Sequence, residues 1–155
     1  MTGAAPGYTA PVRRTLPAGY ELDDDKRRID ARAVHRFLSE ESYWAPGCTL
    51  VDVESSIARA ARAVALYAPG GALAGFARVI EDGRPCPYLA DVFVLPGHRG
   101  RGLGVELVRE CVENGPQAER PWELRTQDAQ ALYERFGFVR GDGTLMFRPA
   151  RVHSG

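Results

Sequence analysis

Lysine is almost absent from this chain. Twenty of its 155 residues are basic, yet Lys26 is the only lysine, and twenty acidic residues bring the formal charge to zero. A balanced surface exerts no long-range pull on nucleic acid or anionic membranes, so neither is an expected partner. The excess of arginine, alanine and glycine fits a GC-rich genome better than a binding function. Cysteine is scarce as well. Cys48, Cys86 and Cys111 are odd in number and widely spaced, which excludes a regular disulfide framework, and no Cys-x-x-Cys pair offers zinc a site. No metal is expected, and three reduced thiols point to a cytoplasmic setting. There is no apolar run of membrane-spanning length, and residues 1–17 lack the hydrophobic stretch of a secretory signal.

What is present suits one soluble domain: 45% hydrophobic and 26% charged residues in a chain long enough for a single core. Residues 1–17, with three prolines and two glycines, read as a flexible N-terminal tail, and residues 150–155 as a short C-terminal one. Between them, residues 18–149 form the expected domain. Tyr20-Glu21-Leu22 suggests a first strand. Ile29, Ala33, Val34, Phe37 and Leu38 repeat at helical spacing from Asp25 onward, and the run Asp23–Arg28 reads as a solvated helix entry. Thr49 with Asp52 three residues on marks the capped start of a second helix, whose buried stripe is Leu50, Val53, Ile57 and Ala61. Two apolar runs around Pro69-Gly70-Gly71 predict a hairpin, and Tyr88–Leu95 a central strand. A helix follows with Leu103, Leu107, Val108, Cys111 and Val112 on one face. Then come a strand at 122–126, a helix capped by Asp128, and a last hairpin around Gly141-Asp142-Gly143. The order β-α-α-β-β-β-α-β-α-β-β defines an α/β (α+β) class.

The most informative stretch is Val92-Phe93-Val94-Leu95-Pro96-Gly97-His98-Arg99-Gly100-Arg101-Gly102-Leu103-Gly104, running from strand through glycine-rich loop to helix. The first N–H groups of a helix are unpaired and carry partial positive charge, and glycine removes the Cβ atoms that would shield them. This builds a cradle for a phosphate or pyrophosphate, with Arg99 and Arg101 at its rim. A nucleotide P-loop is excluded because no Gly-Lys-Ser/Thr occurs. The dinucleotide fingerprint fails because Val105 stands where its third glycine belongs.

Arg99-x-x-Gly102-x-Gly104 after a strand resembles the pyrophosphate motif of the GNAT superfamily of acyl-CoA-dependent N-acetyltransferases. Ala129-x-x-Leu132-Tyr133-x-x-Phe136-Gly137-Phe138 resembles that family's second signature, in the right order and at a fitting separation. The resemblance covers about Tyr20 to Arg148. It implies a single-domain GNAT-like fold: a central mixed, mostly antiparallel twisted sheet of six to seven strands, with about four helices on its faces. It implies acetyl-CoA as co-substrate and direct attack by a primary amine of a small molecule or peptide. Gly100, Arg101, Gly102, Leu103 and Gly104 would hold the pyrophosphate, and the backbone of Val92, Phe93 and Val94 the pantetheine arm. Tyr133 matches the tyrosine many members place near the departing thiolate as general acid. Thr126 stands where many members carry asparagine, so that contact to the cofactor is either lost or taken over by Asp128; Ala129 begins the signature.

The general base is less determined. Asp91 is a lone acid in an apolar strand, where an unpaired carboxylate would be costly, so it calls for a partner or a function. Tyr88 lies near where relatives place a catalytic glutamate. Strand alternation puts Tyr88 and Asp91 on opposite faces unless a bulge shifts the parity. Tyr43 and Trp44 fall where the family builds its acceptor pocket. With Glu40 and Glu41 beside them they would hold a cationic amine, or else plug the core. His35 reads as structural, His98 as a neighbour of the phosphates, and Arg78 as a surface residue or a partner for a succinyl group. Two rival readings stay open: an acyl-CoA-binding regulatory module without turnover, and a transferase for another acyl group. A homodimer is an option on family grounds, with no interface legible.

Overall fold

A computed structural model describes residues 11–151. Residues 1–10 and 152–155, which the expected tails include, lie outside the described residues. One sheet of eight strands runs through the chain in the order β1-β2-β3-β4-β5-β6-β8-β7. The strands are β1 (Arg13–Thr15), β2 (Glu21–Asp23), β3 (Arg62–Tyr67), β4 (Leu73–Ile80), β5 (Tyr88–Val94), β6 (Trp122–Arg125), β7 (Val139–Arg140) and β8 (Leu145–Arg148). All neighbours pair antiparallel except β5 and β6, which run parallel. The helices are α1 (Ala31–Glu40), α2 (Leu50–Arg59), α3 (Leu103–Val112) and α4 (Gln130–Glu134).

The sheet carries helices on both faces. Val34, Phe37, Leu38, Val53 and Ile57 of α1 and α2 pack on Ala63, Ala65, Tyr67, Phe76 and Phe93. On the other face Leu107, Val108, Cys111 and Val112 of α3, with Tyr133 and Phe136, pack on Val64, Leu66, Ala77, Val79 and Trp122. Coverage on both faces explains why β3 reads as an unbroken buried run and not as an alternating one. The helices start where their sequences allow. Asp30 accepts from Ala33 N, and Thr49 and Asp52 form a reciprocal capping box at α2. Gly75 lets β4 and β5 close up, because a Cβ there would stand 2.7 Å from the Phe93 carbonyl oxygen.

Four expectations are corrected. Arg13–Thr15, read as tail, forms an edge strand on β2; Val12 N donates to Asp24 Oδ1 at 2.6 Å, and Leu16 is buried. The run Asp23–Arg28 is not a solvated entry. Asp23 is buried and pairs with Arg28, Arg28 stacks on the Tyr67 ring at 3.8 Å, and Asp24 pairs with Arg62. Lys26 caps the C-terminal end of α2 by donating to the Ala58 and Ala60 carbonyls. Ala60 replaces Ala61 in the α2 stripe because the helix ends at Arg59. Finally, Asp128 does not cap α4. Thr126 Oγ1 accepts from Ala129 N at 3.1 Å instead, and Asp128 is exposed.

Arg62 of β3 and Glu110 of α3 tie that helix to the sheet. Both are buried, and Arg62 Nη2 donates to Glu110 Oε2 at 2.6 Å while Arg14 reaches the same carboxylate from β1. Burial alone would raise the Glu110 pKa, but the hydrogen bonds from Arg62 and Arg14 outweigh it and hold it low. Arg148 is equally enclosed and donates to the carbonyls of Val112, Ala118 and Arg120, closing the C-terminal end of α3.

Candidate functional site

The centre of the molecule is a split in the sheet. β5 and β6 share one paired position, Tyr88 with Glu123, and diverge beyond it. The Phe93 carbonyl lies against Gly75 of β4, and Leu95 N donates to Ala74 O at 2.8 Å. By the two-residue period of a strand, the polar groups of Val92 and Val94 therefore face the split, while those of Phe93 face β4. The Val94 carbonyl confirms this direction, since it accepts from Arg99 Nε at 2.8 Å.

At the head of the split the chain turns through Pro96–His98 into α3. Gly100 (φ 80°) and Gly102 (φ 75°) adopt left-handed backbone, which glycine enters without strain. The first helical bond of α3 is Glu106 N to Gly102 O, and no side chain caps the turn before it. The amides of Leu103, Gly104 and Val105 are thus free for an external anion. A Cβ built on Gly97, Gly100 or Gly102 meets no atom within 4 Å, so the space above these amides is open. Arg101 is exposed beside it, and Arg99 is held there by Val94. His98 is not a free phosphate neighbour: its Nδ1 hydrogen-bonds Tyr20 Oη at 2.7 Å and fixes the loop to the end of the β1–β2 turn.

Below the loop, β5 carries a bulge. Its register on β4 slips between Phe93–Phe76 and Ala90–Arg78, and Asp91 takes φ 56°. Asp tolerates left-handed backbone better than most residues, at a cost of about 1–3 kcal/mol that the surroundings must offset. The bulge switches parity: Leu89 packs with α3, whereas Phe93, four residues on, packs with α1 and α2. Tyr88 and Asp91 accordingly wall the same cavity, of about 520 Å³, rather than opposite faces.

That cavity is also lined by Tyr43, Trp44, Arg78, Arg125, Thr126, Gln127 and Thr144. Trp44 Nε1 donates to Asp91 Oδ1 at 2.9 Å, and Arg78 Nε to Asp91 Oδ2 at 2.5 Å. Tyr43 Oη accepts from Gln127 N at 2.9 Å. The α1–α2 loop thus reaches across the split, touching β5 with Trp44 and the segment after β6 with Tyr43. The aromatic pair builds a wall, while Glu40 and Glu41 are exposed and line no part of the cavity. Arg78 is not a surface residue; it holds Asp91. His35 Nε2 bonds the Cys48 carbonyl at 2.8 Å and braces the same loop. A second cavity of about 190 Å³, mostly apolar, adjoins the first at Arg78 and Asp91.

Tyr133 lies on α4, buried, edge-on to Phe138. Burial first, then the nearby Tyr43, Cys111, Asp128 and Tyr88, raise its pKa far above the ordinary phenol range. Among the described residues nothing hydrogen-bonds its hydroxyl. Tyr88 is half-buried under the Arg84 guanidinium, 4.2 Å from the ring centroid, and burial raises its pKa also. Sequence reasoning missed Arg125, Gln127 and Thr144. Their available signal was adjacency: Arg125 immediately precedes the motif position Thr126, and Thr144 pairs with it, Thr126 N donating to Thr144 O at 2.9 Å.

Comparison with known proteins bears on this architecture. The profile of the Acetyltransferase (GNAT) domain matches residues 60–140. A GNAT-family structure from Xanthomonas campestris superposes with a TM-score of 0.71 and 35% identity, over 79% of this chain and 86% of that one. A structure from Deinococcus radiodurans shares the fold at 23% identity and a TM-score of 0.64, over 84% and 88%. The mycothiol acetyltransferase of Nocardia farcinica is 40% identical over 68 residues, 43% of this chain and 22% of that protein. The N-alpha-acetyltransferase RimI of Mycobacterium tuberculosis is 36% identical over 76 residues, 46% and 48% of the two chains. The stretch shared with these curated relatives therefore spans less than half the length of each.

Proposed function

Because the chain belongs to the GNAT family of acetyltransferases, we propose that it transfers an acetyl group from acetyl-CoA to the primary amine of a small molecule, in a cytoplasmic setting. The observation that carries this reading is the uncapped first turn of α3 opening onto glycine-lined space at the head of the split. The diphosphate of the coenzyme fits there. The amides of Leu103 and Gly104 and the flanking Gly100, Arg101 and Gly102 receive it, with Arg99 held at the rim by the Val94 carbonyl. The free backbone of Val92 and Val94 suits an amide-bearing arm, which would add to β5 as a partial strand. Phe93 contributes packing instead, stacked on Phe37 at 4.1 Å between ring centroids. The Thr126 hydroxyl accepts from Ala129 N, so the exposed Asp128 is the side chain we assign to that arm in place of the threonine.

When bound, the coenzyme supplies an activated thioester, and the protein's task is to position an amine and manage charge. An N–H of Val92 or Val94 polarises the carbonyl that is attacked. Tyr133 keeps its proton at neutral pH. A phenol raised so far is a weak acid, so it serves first as a hydrogen-bond donor to the leaving sulfur; full transfer follows only as that sulfur gains charge in the same dry surroundings. Asp91 has both oxygens engaged, by Arg78 and Trp44. It holds the acceptor wall in place and offers negative field to an ammonium group, while a water beside Tyr88 carries the proton away.

Calorimetry with acetyl-CoA, followed by CoA release on a broad amine panel, tests the reading. Binding near micromolar strength with turnover of at least one amine is expected. Binding without turnover on any amine would favour the regulatory module, and preference for succinyl-CoA over acetyl-CoA the other acyl group.

A further inference from the structure

We infer that the acceptor is an amine carrying a carboxylate on the same small frame, with Arg125 as the specificity-determining residue for that carboxylate. This rests on the acetyltransferase reading above. The charged groups on the cavity wall are Arg78, Arg125 and Asp91. Arg78 and Asp91 neutralise each other at 2.5 Å, and Asp91 also accepts from Trp44. What remains is one guanidinium. Arg125 reaches Thr144 Oγ1 at 3.4 Å and forms no ion pair among the described residues.

Three carboxylates fail to compensate it. Glu123 shares the strand face but stands beside the Cys86 thiol, whose pKa burial and then Glu123 raise. Glu40 and Glu41 line no part of the cavity. A purely cationic acceptor such as a polyamine would meet net positive charge here. A zwitterion is matched at its carboxylate by Arg125 on β6, while its ammonium lies toward the Arg78–Asp91 pair on β5, away from that guanidinium. The phenol of Tyr88, which feels the Arg125 charge, and the hydroxyl of Thr144 supply further neutral donors beside the guanidinium. The adjoining apolar cavity, bounded by Val34, Leu38, Val53, Ile57 and Phe76, accepts a compact apolar side chain from the same molecule.

The test uses matched trios: free amino acids, their carboxamides and their decarboxylated amines, with CoA release measured at saturating acetyl-CoA. The free acids are expected to show kcat/KM at least about tenfold above their carboxamides, the usual worth of a charge-assisted pair. Arg125→Gln should bring each trio within about twofold, and Arg125→Lys should restore part of the preference. Acetyl-CoA affinity, measured by calorimetry on the same preparations, should be unchanged in both variants. If acetyl-CoA binds but carboxamides or amines are used as well as the acids, or no acid is used at all, the carboxylate inference fails alone. If the preference survives Arg125→Gln, Arg125 is not its source. Loss of acetyl-CoA binding by the wild-type protein would remove the transferase reading and this one together.

Discussion

Trp44 and Asp91 stand 47 residues apart in sequence and meet through one hydrogen bond of 2.9 Å, indole N–H to carboxylate. The bond exists because two irregularities coincide. A loop between α1 and α2 projects an aromatic pair over the split sheet, and a bulge on β5 turns Asp91 toward it. Removing the donor while keeping the ring isolates its contribution. Trp44→Phe is expected to raise KM for the acceptor about five- to tenfold, in line with the 1–1.5 kcal/mol of a partly exposed bond to a charged group. Acetyl-CoA affinity should be unchanged by calorimetry. An unchanged acceptor KM would mean that this wall does not touch the acceptor.

The cradle at α3 separates backbone strain from ligand exclusion. Gly102 has φ 75° and open space where a Cβ would go. Gly102→Ala should cost about 1–2 kcal/mol of stability, the price of left-handed backbone, and weaken acetyl-CoA only modestly. Gly102→Glu adds a carboxylate at the proposed diphosphate site and should abolish measurable binding. Equal binding by the Glu variant and the wild type would place the coenzyme elsewhere.

Much of this was legible in the sequence, and the parts that were not share a cause. Periodicity placed the helices because each buries one face, and Thr49 with Asp52 marked a cap by local chemistry alone. The Gly100–Gly104 loop was readable because the function proposed for it rests on backbone. The sequence was silent where side chains meet across the fold. Asp91 announced itself as an unpaired acid but not as the partner of Arg78 and Trp44. Its bulge leaves no residue signature, since Asp91 occupies a conformation usually marked by glycine. Asp23 and Arg28 looked solvated because their charges are frequent in loops, whereas β1 covers Asp23 and the Tyr67 ring covers part of Arg28. Arg125 was missed because a single arginine at a strand end carries no pattern.

Tyr133→Phe distinguishes a hydrogen-bond donor from a packing ring. No protein group bonds the hydroxyl among the described residues, so the variant should keep its Tm within about 2 °C or gain slightly, because a buried polar group is removed without orphaning a partner. Turnover should fall about ten- to a hundredfold, with acetyl-CoA affinity intact. Because burial raises this phenol, the wild-type rate should show no downward limb from Tyr133 below about pH 10. Unchanged turnover in Tyr133→Phe would reduce the residue to its edge-on contact with Phe138.

Stability should fall at both ends of the pH scale, for opposite reasons. Glu110 titrates lower in the folded chain than the ordinary 4.5 of a glutamate, so its stabilisation is present above that value and lost as pH falls through the folded pKa. Cys111 runs the other way. Burial lifts its thiol from 9.0 to about 12, and burial likewise lifts Tyr67 from 10.0 to about 12. A raised pKa leaves stability whole below the unfolded value and erodes it as pH climbs toward the folded one, at up to about 1.4 kcal/mol per pH unit for each group. Tm should therefore begin to drop near pH 9 as the unfolded thiol ionises, and more steeply above pH 10 when Tyr67 joins. In Cys111→Ala the baseline Tm is lower because a small cavity forms, but the decline between pH 9 and 10 becomes shallower, with Cys48 and Cys86, whose thiols burial also raises, keeping the remainder. Glu110→Gln, which leaves Asp24 as the charged partner of Arg62, should cost about 1–3 kcal/mol at pH 7 and flatten the acid limb. Thermal melts of the three proteins from pH 4 to 11 decide this, and a decline between pH 9 and 10 as steep in Cys111→Ala as in the wild type would clear the buried thiol of any part in it.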